Sequence, residues 1–427
     1  MNRGGGSDRQ ASLDAPQHPA ARPAPSAASR RGLDWFVFFL ANAQTGFGPF
    51  IAVYLTQEKW TQVDIGLALT IGGLVSLACQ VPGGALVDAA RSARLVAAIA
   101  VIGVSVSALA IAAWPVFVSV MAAQVLHSVA SSVLGPAIAA ISLGLVGYRA
   151  LGERFGRNAR FASIGNAVAA AAMGACGYWL SSYAVFVVTF ALGLPTLLAL
   201  WHIREHEIDP ARAHGGTPPR TAEKTDLGLR MLARNRALLT FAGCLVLFHL
   251  ANAALLPLVG SVTTMRSSDW ATVLVAVYIV VPQAIVALAS PWVGRHAQQY
   301  GRRWLLVAAF AALPVRAVFI AFTSDPYLLV VLQALDGISA AALGVLVPLI
   351  IADTTRGTGH FNLAQGIVGC GVGIGASLST TLAGFISDRF GSVMAFLGMA
   401  GVATVGLLLV LALMPETRPQ TEEEADA

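Results

Sequence analysis

The sequence predicts an all-α membrane protein: twelve transmembrane helices in two pseudo-symmetric six-helix bundles. Three observations carry this. Of 427 residues, 56% are hydrophobic and 11% charged, against roughly 25% charged in an average soluble domain. Twelve apolar runs each reach the ~20 residues that a helix needs to cross a bilayer core of about 30 Å. The last six runs repeat polar residues of the first six at nearly one offset. So little charge leaves too little polar surface for a protein in water. An ordinary cytosolic enzyme, a disordered chain and a nucleic-acid binder are excluded.

In chain order, residues 1–31 are rich in Gly, Pro and Ala and are expected to be a disordered N-terminal segment. Ser29-Arg30-Arg31 resembles a twin-arginine export signal, but no small-residue cleavage site follows. Six spans come next, at 34–55, 65–87, 95–113, 116–136, 161–181 and 183–203. They form an N-terminal bundle over 32–203. Residues 204–236 are charged, carry Pro210, Pro218 and Pro219, and form a linker. Spans at 237–260, 270–293, 304–323, 327–351, 363–386 and 393–414 build a second bundle over 237–414. A polar tail, 415–427, ends the chain. Backbone groups in lipid must bond within the segment, so the spans are helices; barrel strands would alternate over ~10 residues.

Basic residues orient the chain. With both termini cytoplasmic, the outer loops carry only Lys59, Arg266 and Arg389, Arg316 falls within a span, and the other 23 of the 27 Lys and Arg face the cytoplasm. Such a bias fixes topology and predicts a multi-pass protein of a cell inner (plasma) membrane. Only Lys59 and Lys224 are lysines. The arginines lie between apolar runs, a topology signal and not a basic patch for nucleic acid. Cys79, Cys176, Cys244 and Cys370 each sit in an apolar stretch without CxxC spacing, so neither disulfide nor zinc is implied.

The two halves match in sequence. An offset of 210 places Leu40-Ala41-Asn42-Ala43 on Leu250-Ala251-Asn252-Ala253, Gly84 on Gly294 and Asp88 on Gln298. An offset of 209 places Gln124-Val125-Leu126-His127-Ser128 on Gln333-Ala334-Leu335-Asp336-Gly337, and Gly135 on Gly344. Two parallel six-helix repeats joined by a cytoplasmic linker are a known transporter plan.

Over about residues 32–418 the chain resembles the major facilitator superfamily. Gly84-Ala85-Leu86-Val87-Asp88-Ala89-Ala90-Arg91-Ser92-Ala93-Arg94 resembles the family's GxLxDRxGRR loop after span 2. Gly294-Arg295-His296-Ala297-Gln298-Gln299-Tyr300-Gly301-Arg302-Arg303 resembles its second copy after span 8. Pro415-Glu416-Thr417-Arg418 resembles the tail after the last span. The first copy departs at Arg91 and Ala93, where the motif has Gly and a base, and the second has Gln298 for Asp. Gln124 stands where drug–proton antiporters often carry Arg, and 169–174 lacks their Pro. The resemblance implies a cytoplasmic gate built on Gly84, Asp88, Arg91, Arg94, Gly294, Gln298, Gly301, Arg302 and Arg303. In that gate Asp88 latches onto the start of span 11 and a nearby Arg.

Ionisable residues in lipid are costly and rare. The deep ones are His127, His249, Arg316 and Asp336; the deep amides are Asn42, Gln124, Asn252 and Gln333. All but Arg316 lie on spans 1, 4, 7 and 10, which the resemblance implies line a central substrate cavity. Gln124/His127, His249/Asn252 and Gln333/Asp336 are i, i+3 pairs, each sharing a helix face. Counting rise per residue puts the Cα depths of Arg316 and Asp336 about 5 Å apart, within reach of an arginine. That pair is either a fixed ion pair between spans 9 and 10 or a switch released when Asp336 takes a proton. His127, the repeat partner of Asp336, is either a hydrogen-bonded neutral imidazole or a second proton site.

Other motifs carry less. His202-Ile203-Arg204-Glu205-His206 matches a zinc-protease pattern without a third ligand. Gly369 to Gly375 sits inside span 11, where small residues let helices approach. No Walker sequence is present, and no nucleophile–base pair suggests an enzyme. The expectation is a secondary active transporter working by alternating access, proton-coupled through Asp336 and His127. It leans to export of a small amphipathic or anionic organic molecule. The alternatives are a proton-coupled importer of an organic acid or sugar, and a non-transporting receptor with a transporter fold. No cofactor, metal or obligate protein partner is expected, only substrate, protons and the bilayer.

Overall fold

The computed structural model describes residues 25–45, 49–216, 223–266, 271–323 and 325–418. Among the described residues, the expected spans fall on helix apart from short breaks such as the turn at Ala253 and Ala254. The first half holds α1 (Ala27–Thr45), α2 (Pro49–Gln57), α3 (Gln62–Ala89), α4 (Ala93–Ala113), α5 (Phe117–Val146), α6 (Leu151–Trp179) and α7 (Ser182–Trp201). The linker holds α8 (Pro210–Ala213) and α9 (Glu223–Leu232). The second half holds α10 (Arg236–Asn252), α11 (Leu255–Arg266), α12 (Ala271–Tyr300), α13 (Arg303–Phe322), α14 (Pro326–Thr354), α15 (Phe361–Phe390) and α16 (Ser392–Leu413). Spans 1 and 7 are each made of two helices, α1 with α2 and α10 with α11. Among the described residues, ten helical segments are long and apolar enough to cross a membrane. Span 1 is divided and α6 carries four charged residues in its first ten, so composition alone understates both.

Local chemistry sets the helix starts. Ser92, Ser181, Asn235 and Asp325 each accept a hydrogen bond from a backbone N–H in the first turn, of Leu95, Ala184, Leu238 and Tyr327 respectively. Such caps contribute about 1 kcal/mol each. Prolines lie inside several membrane helices, among them Pro82, Pro136, Pro195 and Pro348. Neighbouring helices and hydroxyls make such breaks tolerable in lipid. Pro136 therefore does not end span 4, and α5 runs on ten residues to Val146.

Three expectations on domain limits change. Residues 1–24 and 419–427 lie outside the described residues, but 27–31 are helix and not disorder. Glu207 from the linker accepts Ser26 N at 2.9 Å, and Ser26 Oγ accepts Ser29 N at 3.2 Å, so the first turn of α1 is capped. The linker is partly helical and lies against both halves. α5 ends beyond its expected limit because helical apolar packing continues past Pro136.

Each half has its own apolar core. The second core also takes in Leu143, Leu151 and Phe155 of the first half. All three lie at the arginine-rich ends of α5 and α6. Across the boundary α3 packs along α15, and α12 along α6. The glycines of span 11 permit this. Gly366 abuts the Gln80 carbonyl, Gly369 faces the Gln80 side chain and Gly373 faces Leu77, leaving little room for larger side chains. Outward-facing Leu74, Val118, Leu288 and Phe322 are exposed, as helices in lipid require.

Candidate functional site

Two sites emerge, one at mid-membrane and one at the arginine-rich face. The first is centred on Arg316, on α13. Its Nη1 donates to Asp336 Oδ1 at 2.5 Å and to Asn252 Oδ1 at 2.9 Å; its Nη2 donates to Gln333 Oε1 at 2.6 Å. Three helices thus meet on one guanidinium: α10, α13 and α14. The Arg316 side chain is 2% exposed and that of Asp336 25%. The cation is sealed while its carboxylate partner stays reachable. Arg316 Nε and Gln333 Nε2 are buried without a hydrogen-bond partner among the described residues. Two unsatisfied donors beside a carboxylate cost free energy unless an acceptor arrives. His249 lies within electrostatic reach of Asp336 and stacks edge-on against Phe248.

The sequence-predicted cavity residues therefore divide. His249, Asn252, Arg316, Gln333 and Asp336 come together. Asn42, Gln124 and His127 sit in the other half, and no hydrogen bond among the described residues joins the two sets. Asn42 Nδ2 donates at 2.9 Å to Phe38 O on its own helix and lies against Gly165 of α6. Its amide is thus used in helix packing. Gln124 packs at Gly72 of α3, beside the 2.8 Å bond from Ser128 Oγ to Gly72 O. His127 Nε2 lies 3.4 Å from Ser131 Oγ. The asymmetry has a sequence cause: at the offset of 209, Arg316 falls on Ser107, a buried hydroxyl bonded to Val104 O. With Ser107 at that position, no guanidinium gathers Asn42, Gln124 and His127 among the described residues.

At the second site the ends of the two halves meet closely. Asp88 ends α3 and faces the exposed N–H groups at the start of α15, where a carboxylate is stabilised. Its oxygens accept Leu363 N at 2.7 Å, Asn362 Nδ2 at 2.8 Å and Asn362 N at 3.2 Å. Gly84, one turn earlier, lies so close to the Asn362 backbone that a Cβ would collide with its carbonyl. The repeat is mirrored by Gly294, which meets the Gly152 carbonyl at the start of α6. Gln298 then donates to the carbonyls of Tyr148 and Arg149 at 2.8 and 2.9 Å. This accounts for the departure from the motif: the second copy faces carbonyls, where an amide donates and an aspartate would repel.

The basic residues of the two loops do not bridge the halves, contrary to the resemblance. Arg94 donates to Ile203 O within its own half, and Arg91 is exposed without a hydrogen bond or ion pair among the described residues. Arg302 pairs with Asp353 at 2.9 Å, and Arg303 donates to Leu411 O. Glu416 of the tail accepts the backbone N–H of both Arg302 and Arg303, and Gly301, at φ 101°, makes room for it. These groups knit each loop to its own bundle. No arginine reaches Asp88 among the described residues.

What sequence reading missed supplies the remaining cross-links. Arg356 lies 4.3 Å over the Tyr148 ring, a cation–π contact between halves. Ser163 Oγ donates to Gln283 O at 2.8 Å. His214, just after α8, is buried. Its ring nitrogens lie against Ala90 O and Pro210 O, and its own carbonyl accepts Phe361 N at 3.2 Å. The linker is thus wedged between the end of α3 and the start of α15. No residue pattern marks such a role in advance.

Comparisons with known proteins agree with this architecture. The family described as Major Facilitator Superfamily matches residues 35–313 and 243–427. An "uncharacterized MFS-type transporter" of Mycobacterium tuberculosis, found in two strains, is 37% identical over 389 residues, covering 91% of this chain and 93% of the relative. Three solved structures share the fold at 14% identity. The fucose:proton symporter FucP of E. coli has a TM-score of 0.72, covering 92% of this chain and 98% of that one. The proton:xylose symporter XylE has 0.69, with 93% and 97% covered. The human organic anion transporter MFSD10 has 0.67, with 90% and 100% covered.

Proposed function

The chain belongs to the major facilitator superfamily and is a multi-pass membrane transporter; from that premise we propose that it is a proton-coupled secondary transporter of a small organic molecule, with Arg316 and Asp336 at its centre. The arginine-rich face is the cytoplasmic side of a cell inner membrane. The halves rock about the mid-membrane site, and the structure is then the state shut toward the cytoplasm.

One observation carries the chemistry: Arg316 is anchored by Asn252, Gln333 and Asp336 while two buried donors beside it lack acceptors. Protonation of Asp336 removes the counter-charge of Arg316 and leaves a guanidinium that needs an anion. The acceptors of an organic acid meet that need. Proton and anion would then travel together, which at an inward proton gradient drives uptake. Similar architecture occurs in two proton symporters and an organic anion transporter. Export, to which the sequence leans, remains the second reading. It holds for an amphipathic substrate that competes with the proton at Asp336, with His127 as the second proton site. Moving one charge through 100 mV supplies about 2.3 kcal/mol in either direction.

The test begins with a thermal-shift screen of purified protein against organic acids, sugars and amphipathic cations at acidic and neutral pH. The best binder is then taken into proteoliposomes. Accumulation that follows an imposed proton gradient and carries an acid is the expected result. Opposite signs in inverted and right-side-out vesicles separate uptake from export. Tight binding without counterflow would favour a receptor and overturn the transporter mechanism.

A further inference from the structure

A second polar chamber lies away from both sites, within the first half at its arginine-rich face. Its volume is about 760 Å³. Five guanidinium groups line it: Arg30 and Arg31 of α1, Arg154 and Arg157 of α6, and Arg212 of the linker. Three carboxylates, Glu153, Glu207 and Asp209, also line it. Most of that negative charge is engaged. Glu207 accepts Ser26 N and pairs with Arg204 at 3.6 Å, and Asp209 pairs with Arg212 at 3.7 Å. Beneath the wall, Asp34 holds Arg154 at 2.5 Å and Arg157 at 2.6 Å, one carboxylate for two cations.

Positive charge is left over on the concave side. Arg157 is 53% exposed, and its Nη1 makes no hydrogen bond among the described residues. Arg30 and Arg31 are exposed, and their guanidinium groups make no hydrogen bond or ion pair among the described residues. Planar guanidinium forks converging on a concave, partly enclosed site match tetrahedral phosphate oxygens. The place matters too. Arg30 and Arg31 precede the first expected span by a few residues, at the depth of lipid headgroups.

We propose that this chamber binds a phosphate group, from the headgroup of an anionic lipid or from a soluble phosphate ester. Its back wall connects to the gate. Asp209 N donates to Gly144 O at 2.9 Å, and four residues on, Ala213 O accepts Asn362 Nδ2 at 3.1 Å. An anion that draws Arg212 toward α1 and α6 holds the linker against the start of α15. Bound phosphate thus favours the shut gate.

The test uses full-length, delipidated protein. Native mass spectrometry counts phosphatidylglycerol retained against phosphatidylcholine. A second arm offers inorganic phosphate and glycerol phosphate to protein in phosphatidylcholine nanodiscs and reads the thermal midpoint. The Arg30→Gln/Arg31→Gln variant is expected to lose about thirtyfold in affinity, from roughly fivefold per arginine removed. The exposed pair Arg234→Gln/Arg236→Gln, outside the chamber, should change little. Arginine-dependent binding only in the first arm identifies a lipid headgroup; in the second, a soluble phosphate ester. Equal losses in both variants would mean general attraction of anions to a basic face and would overturn the proposal, as would no binding in either arm. If Arg30→Gln/Arg31→Gln fails to fold, Arg212→Gln is expected to lose about fivefold, with the same outcome overturning the proposal.

Discussion

Arg316 shows how one side chain organises a membrane site. Burying a guanidinium costs several kcal/mol unless it is paired and hydrogen-bonded, and here it has one carboxylate and two amides. Asp336→Asn keeps an oxygen for Arg316 but cannot ionise. We expect it to abolish gradient-driven accumulation in proteoliposomes while preserving counterflow; full gradient-driven transport would show that another group carries the proton. Glu416 offers a pH test. Burial raises its pKa, but the N–H groups of Arg302, Arg303 and Arg418 outweigh this and hold it below the ordinary 4.5. A depressed carboxylate stabilises the fold above its unfolded pKa and loses that contribution as pH falls through the folded value. Glu416→Gln should therefore unfold at a lower temperature than the parent near neutral pH, and the two melting curves should converge below pH 4.5. These residues were visible in the sequence as deep charges and as a tail motif. That Arg316 would also collect Asn252 and Gln333 was not, because the depth argument gave only its distance to Asp336.

At the scale of helices, the proposed gate is a pair of glycine contacts, each followed by a polar contact of opposite character. Asp88 meets donors and Gln298 meets acceptors. Gln298→Glu keeps the shape and replaces two donated bonds with repulsion. Losing hydrogen bonds worth about 1–3 kcal/mol shifts the proposed gate by roughly fivefold to a hundredfold toward opening. A cysteine placed on the gate-facing side of α15 should label correspondingly faster with a membrane-impermeant thiol reagent from the arginine-rich side; unchanged labelling would remove Gln298 from the gate. Gly84→Ala adds a methyl where the Asn362 carbonyl already lies. It should open the same gate while melting within a few degrees of the parent, since parting α3 from α15 would relieve the collision. Both motif-like loops lie where the two halves meet. Their arginines part from the resemblance: Arg94, Arg302 and Arg303 face carbonyls and carboxylates of their own bundles, and a motif string does not say which neighbour a side chain meets.

Across the whole molecule, the contacts between halves described above run from the arginine-rich end to mid-membrane, at Leu77–Gly373 and Ser163–Gln283. Alternating access predicts their exchange for contacts near the opposite face. Spin labels on the arginine-rich ends of α3 and α15 should give a second, longer distance when substrate and proton are supplied, and Gly84→Ala should populate it without them. A single unchanged distance in every condition would contradict rocking. Alternating access predicts the same exchange for the linker contacts that His214 and Ala213 make with the start of α15.

Composition, run length, charge bias and the internal repeat were enough to determine a twelve-span protein of two matched halves, since a bilayer imposes length and polarity rules that act locally along the chain. Partnership was decided only in three dimensions. Which donors face Asp88, why the second copy carries Gln298, how the linker enters the gate and which arginines surround a chamber all depend on side chains more than a hundred residues apart. Their meeting is fixed by helix packing, to which sequence spacing within a single span is blind.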